Sequence, residues 1–270
     1  MNYIKIIFSD LQPEQKEILI AQLADAGYEG FEEKDGSLDA FINSKSFDKV
    51  ILNDISFKYQ TPYTKEKIAE TNWNQVWESN FEPVIVDDYV AIRADFHKSI
   101  TNTQFEIVIT PKMSFGTGHH ATTYMMIELM KEIDLNGRSV LDFGTGTGIL
   151  AILAEKEGAK NIEAIDNDDW SIANAAENFE KNNCIRINLK KASTAVSEKR
   201  FDIILANINK NVIIETLALL SKQSNHGGQV LLSGLLTEDK GEILSIATGL
   251  GLKLKKELIR SNWIALHFHN

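Results

Sequence analysis

What this chain lacks narrows it first. It has a single cysteine, Cys184, so no internal disulfide can form, and that usage suits a reducing cytoplasm. No apolar run approaches the roughly 20 residues that a bilayer-spanning helix needs. The opening Met1-Asn2-Tyr3-Ile4-Lys5-Ile6-Ile7-Phe8 carries neither a charged leader nor a small-residue cleavage site, which argues against a signal peptide. Positive charge is in short supply: 28 Lys and Arg stand against 38 Asp and Glu, a net charge of -10 at pH 7. Non-specific attachment to nucleic acid backbones is thereby disfavoured, and a basic macromolecular partner is suited. Metal-ligand spacing is missing too, so no metal is expected. What is present, 43% hydrophobic and 24% charged residues over 270 positions, is the balance of a soluble globular chain. Its length allows one large domain, or an ordinary domain plus a small one.

The first 60 residues read as the small one. Tyr3 to Phe8 has strand character, and Pro13 opens a helical pattern carried by Ile18, Leu19, Leu23 and Ala26 and closed by Gly27. Phe31 to Glu33 and Leu38 to Ile42 flank Asp35-Gly36, a two-residue hairpin signal. Ser46 to Asn53 reads as a second helix, and Ile55 to Tyr59 as a strand. The order βαββαβ predicts a ferredoxin-like α+β domain over 1–60, with substrate recognition as its expected task. Thr61-Pro62 marks its end. Lys65 to Asn80 then reads as a linker helix within 61–80, with Trp73 and Trp77 on one face. The remaining 81–270 begins with short strands at 83–86, 89–93 and 105–109.

Two loops carry the chemistry. Phe115-Gly116-Thr117-Gly118-His119-His120-Ala121-Thr122-Thr123 has two glycines, two histidines and three hydroxyls, a poor core segment, which favours a functional loop over packing. Adjacent histidines rarely chelate one ion well, so the pair does not suggest a metal. Thr122 or Thr123 is positioned to cap the helix that starts near Ala121, or to meet a ligand's carboxylate at that helix N-terminus.

The second loop is Val140-Leu141-Asp142-Phe143-Gly144-Thr145-Gly146-Thr147-Gly148-Ile149. An apolar strand breaks into alternating glycines and runs into a helix, so a ligand can lie against bare backbone. The dinucleotide fingerprint places glycines at relative positions 1, 3 and 6. Here they fall at 144, 146 and 148, which argues against a pyrophosphate cofactor and fits the loop of S-adenosylmethionine methyltransferases. Asp166 ends the next strand, Asn161 to Ile165, 22 positions after Gly144. A carboxylate there accepts hydrogen bonds from two ribose hydroxyls. Asp168 or Asp169 reads instead as the cap of the following helix. Ile185 to Leu189 is a third strand with no acid after it, leaving backbone or Ser193 for the adenine. The fourth strand, from Phe201, ends at Asn207, where the transferring methyl group is expected. Gln229 to Ser233, a helix at 238–248, and a closing hairpin of Leu252 to Ile259 with Trp263 to Phe268 complete a seven-stranded mixed sheet of the class I methyltransferase kind.

Met113 to Thr123, Leu141 to Ile149, Ile165-Asp166 and Leu205-Ala206-Asn207-Ile208 together resemble the ribosomal protein L11 methyltransferases, and the resemblance spans essentially the whole chain. It implies a two-domain enzyme whose N-terminal domain recognises the ribosomal protein. It also implies methyl transfer from S-adenosylmethionine to lysine side chains and the α-amino terminus. By motif match, Thr123, Gly144, Asp166 and Asn207 are expected to contact the cofactor, joined by Gly146, Phe115 and Gly116, with Asn207 also catalytic. Another protein or an RNA is the alternative acceptor. The Asn-Pro-Pro-Tyr of glutamine or DNA-adenine methyltransferases is missing; the chain has Asn207-Ile208-Asn209-Lys210.

Overall fold

The structure, a computed structural model, describes residues 3–68, 81–111, 118–194 and 199–270. Two compact units divide the chain, Met1–Ser79 and Asn80–Asn270. Among the described residues, no helix is long and apolar enough to cross a membrane.

The first unit runs β1 (Tyr3–Ser9), helix Pro13–Asp25, β2 (Gly30–Lys34), β3 (Ser37–Asn43), helix Lys49–Tyr59 and β4 (Tyr63–Ile68). The strands pair antiparallel in the order β2-β3-β1-β4, the ferredoxin-like arrangement expected. Strand alternation turns Ile4, Ile6 and Phe8 inward against Ile42, Ala40 and Leu38 of β3. Leu19, Leu23, Leu52 and Ile55 of the two helices close that core. Gly27, at φ +87°, ends the first helix in a Schellman turn: Gly27 N–H bonds Ala24 O, and Tyr28 N–H bonds Leu23 O, both at 3.0 Å.

Two sequence expectations are corrected in this unit. Ile55 to Tyr59 is helix, not strand, because Leu52 and Ile55 lie three apart and reach the same core. Asp48 starts that helix by accepting the Val50 N–H at 2.7 Å. Lys65 to Ile68 is not the start of a linker helix but part of β4, which pairs with β1 from Phe8↔Tyr63 to Tyr3↔Ile68. Ladder bonds to a core strand override the local helix preference of Lys and Glu. The rest of the expected linker, with Trp73 and Trp77, lies outside the described residues.

The second unit opens with a three-stranded sheet of β5 (Val84–Val86), β6 (Val90–Ala94) and β7 (Phe105–Ile109). Helix Ala121–Met130 leads to β8 (Ser139–Phe143), helix Ile149–Lys156, β9 (Asn161–Asp166), helix Asp169–Lys181, β10 (Ile187–Lys191) and β11 (Phe201–Asn207). Helix Lys210–Gln223, β12 (Ser224–Leu236), helix Lys240–Gly249, β13 (Lys253–Arg260) and β14 (Trp263–His269) follow. The large sheet has the order β10-β9-β8-β11-β12-β14-β13, and β14 alone runs against the rest. Its two faces bury alternate residues. Val140, Ile162, Ile203 and Leu205 pack with helices Ala121–Met130 and Ile149–Lys156. Leu141, Ile165, Ile204 and Ala206 pack with helices Lys210–Gln223 and Lys240–Gly249. The closing hairpin turns at Ser261 and Asn262, both at positive φ, +47° and +67°, the pattern of a type I′ turn.

Candidate functional site

Strand order reverses between β8 and β11, and a crevice opens at such a point beyond the strands' carboxyl ends. A cavity of about 410 Å³ lies there, within the usual range for small-molecule sites. One half is walled from the ends of β8, β9 and β10 by Phe143, Gly144, Gly146, Asp166, Asn167 and Ser193. The other is walled from β11, β12 and β14 by Asn207, Ile208, Asn209, Gly234 and Trp263, with His120 and Thr123 completing it.

The first half is a cradle of backbone. Gly144, Gly146 and Gly148 all adopt positive φ, +76°, +55° and +82°. Gly144 and Thr145 donate their N–H groups to Ile165 O at 2.8 and 2.9 Å, tying the loop to the end of β9. A Cβ on Gly144 would stand 2.2 Å from Ile208 Cγ2, so no larger residue fits. Beneath the loop, Asp142 is buried and accepts the Thr145 hydroxyl at 2.6 Å. Burial pushes its carboxyl up to about 6, with the Thr145 bond pulling the other way. Asp166 accepts the Gly146 N–H on Oδ2 at 2.9 Å and the Asp168 N–H on Oδ1 at 3.0 Å. Each carboxylate oxygen has a second lone pair, enough for two ribose hydroxyls. Asp168 caps helix Asp169–Lys181 by accepting the Ser171 N–H at 2.9 Å, as expected of it. Ser193 lines the cavity past β10, together with Ala192.

In the second half, Asn207 Nδ2 donates to Thr123 Oγ1 at 3.1 Å. Thr123 is the third residue of its helix and is fully buried. Neither threonine is the helix cap. That place is taken by His120, whose Nδ1 accepts the Thr122 N–H at 3.4 Å and lies 2.8 Å from the Thr122 hydroxyl. The adjacent histidines part company. His120 rests edge-on against Trp263, ring centroids 4.6 Å apart, whereas His119 meets Phe81 at 4.7 Å, where burial lowers its pKa. Of the seven site residues expected from sequence, Thr123, Gly144, Gly146, Asp166 and Asn207 line one cavity. Phe115 and Gly116 lie outside the described residues.

Sequence reasoning misses Ile208, Asn209, Gly234 and Trp263. Trp263 reads locally as one more apolar residue of a closing strand, and only the hairpin turn and the pairing of β14 with β12 bring it to the cavity. Gly234 sits at a bulge in β12, where a Cβ would stand 2.1 Å from Ile208 O. An isolated glycine inside a strand pattern is a signal for such a close approach. Asn209 offers a signal as well, a cap residue directly before an apolar helical pattern.

A seven-stranded sheet with one reversed strand, a glycine loop after its central strand and a carboxylate ending the next define a class I S-adenosylmethionine-dependent methyltransferase. The donor set fits that cofactor: bare backbone at the loop, a carboxylate with lone pairs to spare for hydroxyl groups, and amide and hydroxyl groups opposite. The chain matches the family "Ribosomal protein L11 methyltransferase (PrmA)" over residues 6–270, and it belongs to that family. The ribosomal protein L11 methyltransferase of Phocaeicola vulgatus is 35% identical, with 99% of each chain covered. That of Porphyromonas gingivalis is 39% identical over 93% of this chain and 90% of its own. The crystal structure of the ribosomal protein L11 methylase from Lactobacillus delbrueckii subsp. bulgaricus is similar with a TM-score of 0.65 at 29% identity, covering 70% of this chain and 98% of that one. The methyl donor is S-adenosylmethionine.

Proposed function

We propose that this chain methylates ribosomal protein L11, on lysine ε-amino groups and on the N-terminal α-amino group. The observation that carries this reading is the extent of the match: relatives named for that activity align along nearly the whole chain, its N-terminal unit included. That unit has its own core, and none of its described residues lines the cavity; its task is to recognise L11, either free or in the large ribosomal subunit. The acidic chain, with its net charge of -10, suits such a basic partner and gives no basis for sequence-specific nucleic acid binding. The work would be done in the cytoplasm.

When bound, S-adenosylmethionine supplies an already activated methyl group on a sulfonium. The protein's share is to hold, orient and dry the site. Asp166 takes the ribose hydroxyls, and the loop at Gly144 and Gly146 lets the cofactor approach the backbone. Asn207 has its Nδ2 committed to Thr123, so Oδ1 is the atom that accepts an N–H from the incoming amine and aims its lone pair. The amine must be neutral to attack. At pH 7 deprotonation costs a lysine about 4.6 kcal/mol and an α-amino group about 1 kcal/mol. Ile208, Val212 and Trp263 give the acceptor half an apolar wall, and desolvation there favours the neutral form. No dedicated general base is assigned.

The test is incubation of the purified chain with radiolabelled S-adenosylmethionine and ribosomes from a strain lacking its own L11 methylation. Label on L11, lost from the N-terminal residue and lysines in peptide mapping of variants, supports the reading. Label in ribosomal RNA, or in other proteins only, overturns it.

A further inference from the structure

Asn209 is the first residue beyond the strand-end pair Asn207-Ile208, and its side chain has a fixed direction. It caps helix Lys210–Gln223: its Oδ1 accepts the Val212 N–H at 3.1 Å, with the backbone extended at φ -68°, ψ 155°. A backbone N–H can only donate, so the oxygen of the amide must face the helix. Oδ1 and Nδ2 leave Cγ in opposing directions, so the capping bond turns Nδ2 away from the helix. Asn209 also lines the cavity and is solvent-exposed, so this donor stands at the rim rather than the floor.

The rim belongs to the acceptor half. Cofactor contacts at Gly144, Gly146 and Asp166 come from β8 and β9, whereas Asn209 follows β11, on the other side of the strand-order reversal. A neutral N–H donor cannot hold an ammonium group, and it gains nothing from an apolar surface. It complements a carbonyl oxygen. A polypeptide whose lysine or terminal amine enters the cavity leaves its backbone carbonyls at the rim. We propose that Asn209 Nδ2 is a hook for a main-chain carbonyl of the acceptor polypeptide, next to the residue whose amine is methylated. The proposal rests on the protein-acceptor reading above. It gives Asn209 a binding role distinct from that of Asn207: one grips the peptide, the other the reacting amine.

Substitution can remove the hook and keep the cap, because Ser and Asp cap as well as Asn does. The experiment uses the full chain with purified ribosomal protein L11 and radiolabelled S-adenosylmethionine, comparing wild type with Asn209→Ser and Asn209→Asp. Cofactor affinity by titration calorimetry and melting temperature are recorded alongside. The expected result is a KM for L11 raised about tenfold in both variants, the scale of one lost hydrogen bond. The kcat, the cofactor Kd and the melting temperature should stay near wild type. An unchanged KM in Asn209→Ser makes the residue a cap and nothing more, and overturns the hook. A weakened cofactor Kd assigns the donor to the cofactor instead and overturns it as well. A lower KM in Asn209→Asp means that the contact is a cationic amine, which also overturns it. If wild type labels no L11 under these conditions, the acceptor reading fails first and the hook falls with it.

Discussion

Asp166 works in two directions at once. It accepts the N–H groups of Gly146 and Asp168, which fixes the loop, and its remaining lone pairs are free for the role proposed for them, accepting the cofactor's ribose hydroxyls. Asp166→Asn preserves size but turns one acceptor oxygen into a donor. Cofactor affinity is expected to fall about ten- to hundredfold, the loss of charge-assisted bonds. Titration calorimetry decides it, and a Kd within twofold of wild type would remove Asp166 from the ribose. Asn207 makes a different prediction because its place is opposite the loop. Asn207→Ala should cut kcat about a hundredfold through misplacement of the amine. Cofactor affinity should change much less. Unaltered turnover with unaltered affinity rules the role out. Both residues are readable from sequence because each ends an apolar strand with a polar side chain, and strand ends are where this architecture puts its ligands. Asn209 and Trp263 are not readable in that way. One is a routine helix cap, and the other reaches the cavity only through a turn at Ser261-Asn262.

The elements were legible where local and tertiary preferences agree. The β2–β3 hairpin follows from Asp35-Gly36, and Gly36 does take a positive φ of +69°. The helix after Gly148 follows from its apolar run, which is buried from Ile149 to Ala154. Helix Lys49–Tyr59 was misread at its end because Ile55, Phe57 and Tyr59 alternate as a strand would. Its stop is Gln60, at φ +53°, a left-handed cap that a glutamine does not announce. Helix Lys210–Gln223 is marked by Ile213, Leu217 and Leu220, which recur at helical spacing and are fully buried. Strand β14 carries a further consequence in His267, 1% exposed and with Nε2 2.8 Å from Gln229 Oε1. Burial pushes its pKa down to about 4. An unfolded histidine takes up its proton near pH 6.5, so the unfolded state binds more protons between those values. Stability should therefore be full above pH 6.5 and fall as pH drops towards 4, by an amount on the order of 3 kcal/mol. Urea unfolding at pH 7 and 4.5 measures this. His267→Leu should flatten the difference, and an equally steep loss in that variant would place its origin elsewhere.

At the scale of the whole molecule, the two units have separate cores, one built on β1 and β3 and the other on the two faces of the large sheet. A chain beginning at Asn80 retains every described residue that lines the cavity. It should bind S-adenosylmethionine with nearly unchanged affinity. Its kcat/KM for L11 should fall about a hundredfold or more, since a second attached binding module raises effective concentration by that order. Equal efficiency with and without residues 1–79 would deny the N-terminal unit its recognition role. Within the larger unit, Ile208 is wedged between two glycines. Its side chain crowds the place a Cβ would take on Gly144, and its main chain crowds the same place on Gly234. One residue thus stands between the glycine loop after β8 and the bulge in β12. Anyone redesigning this enzyme for bulkier amines would find the obvious position, 208, already spoken for. A larger side chain there would crowd Gly144, and a smaller one would take a packing partner from the glycine loop, so acceptor scope and donor affinity are expected to change together.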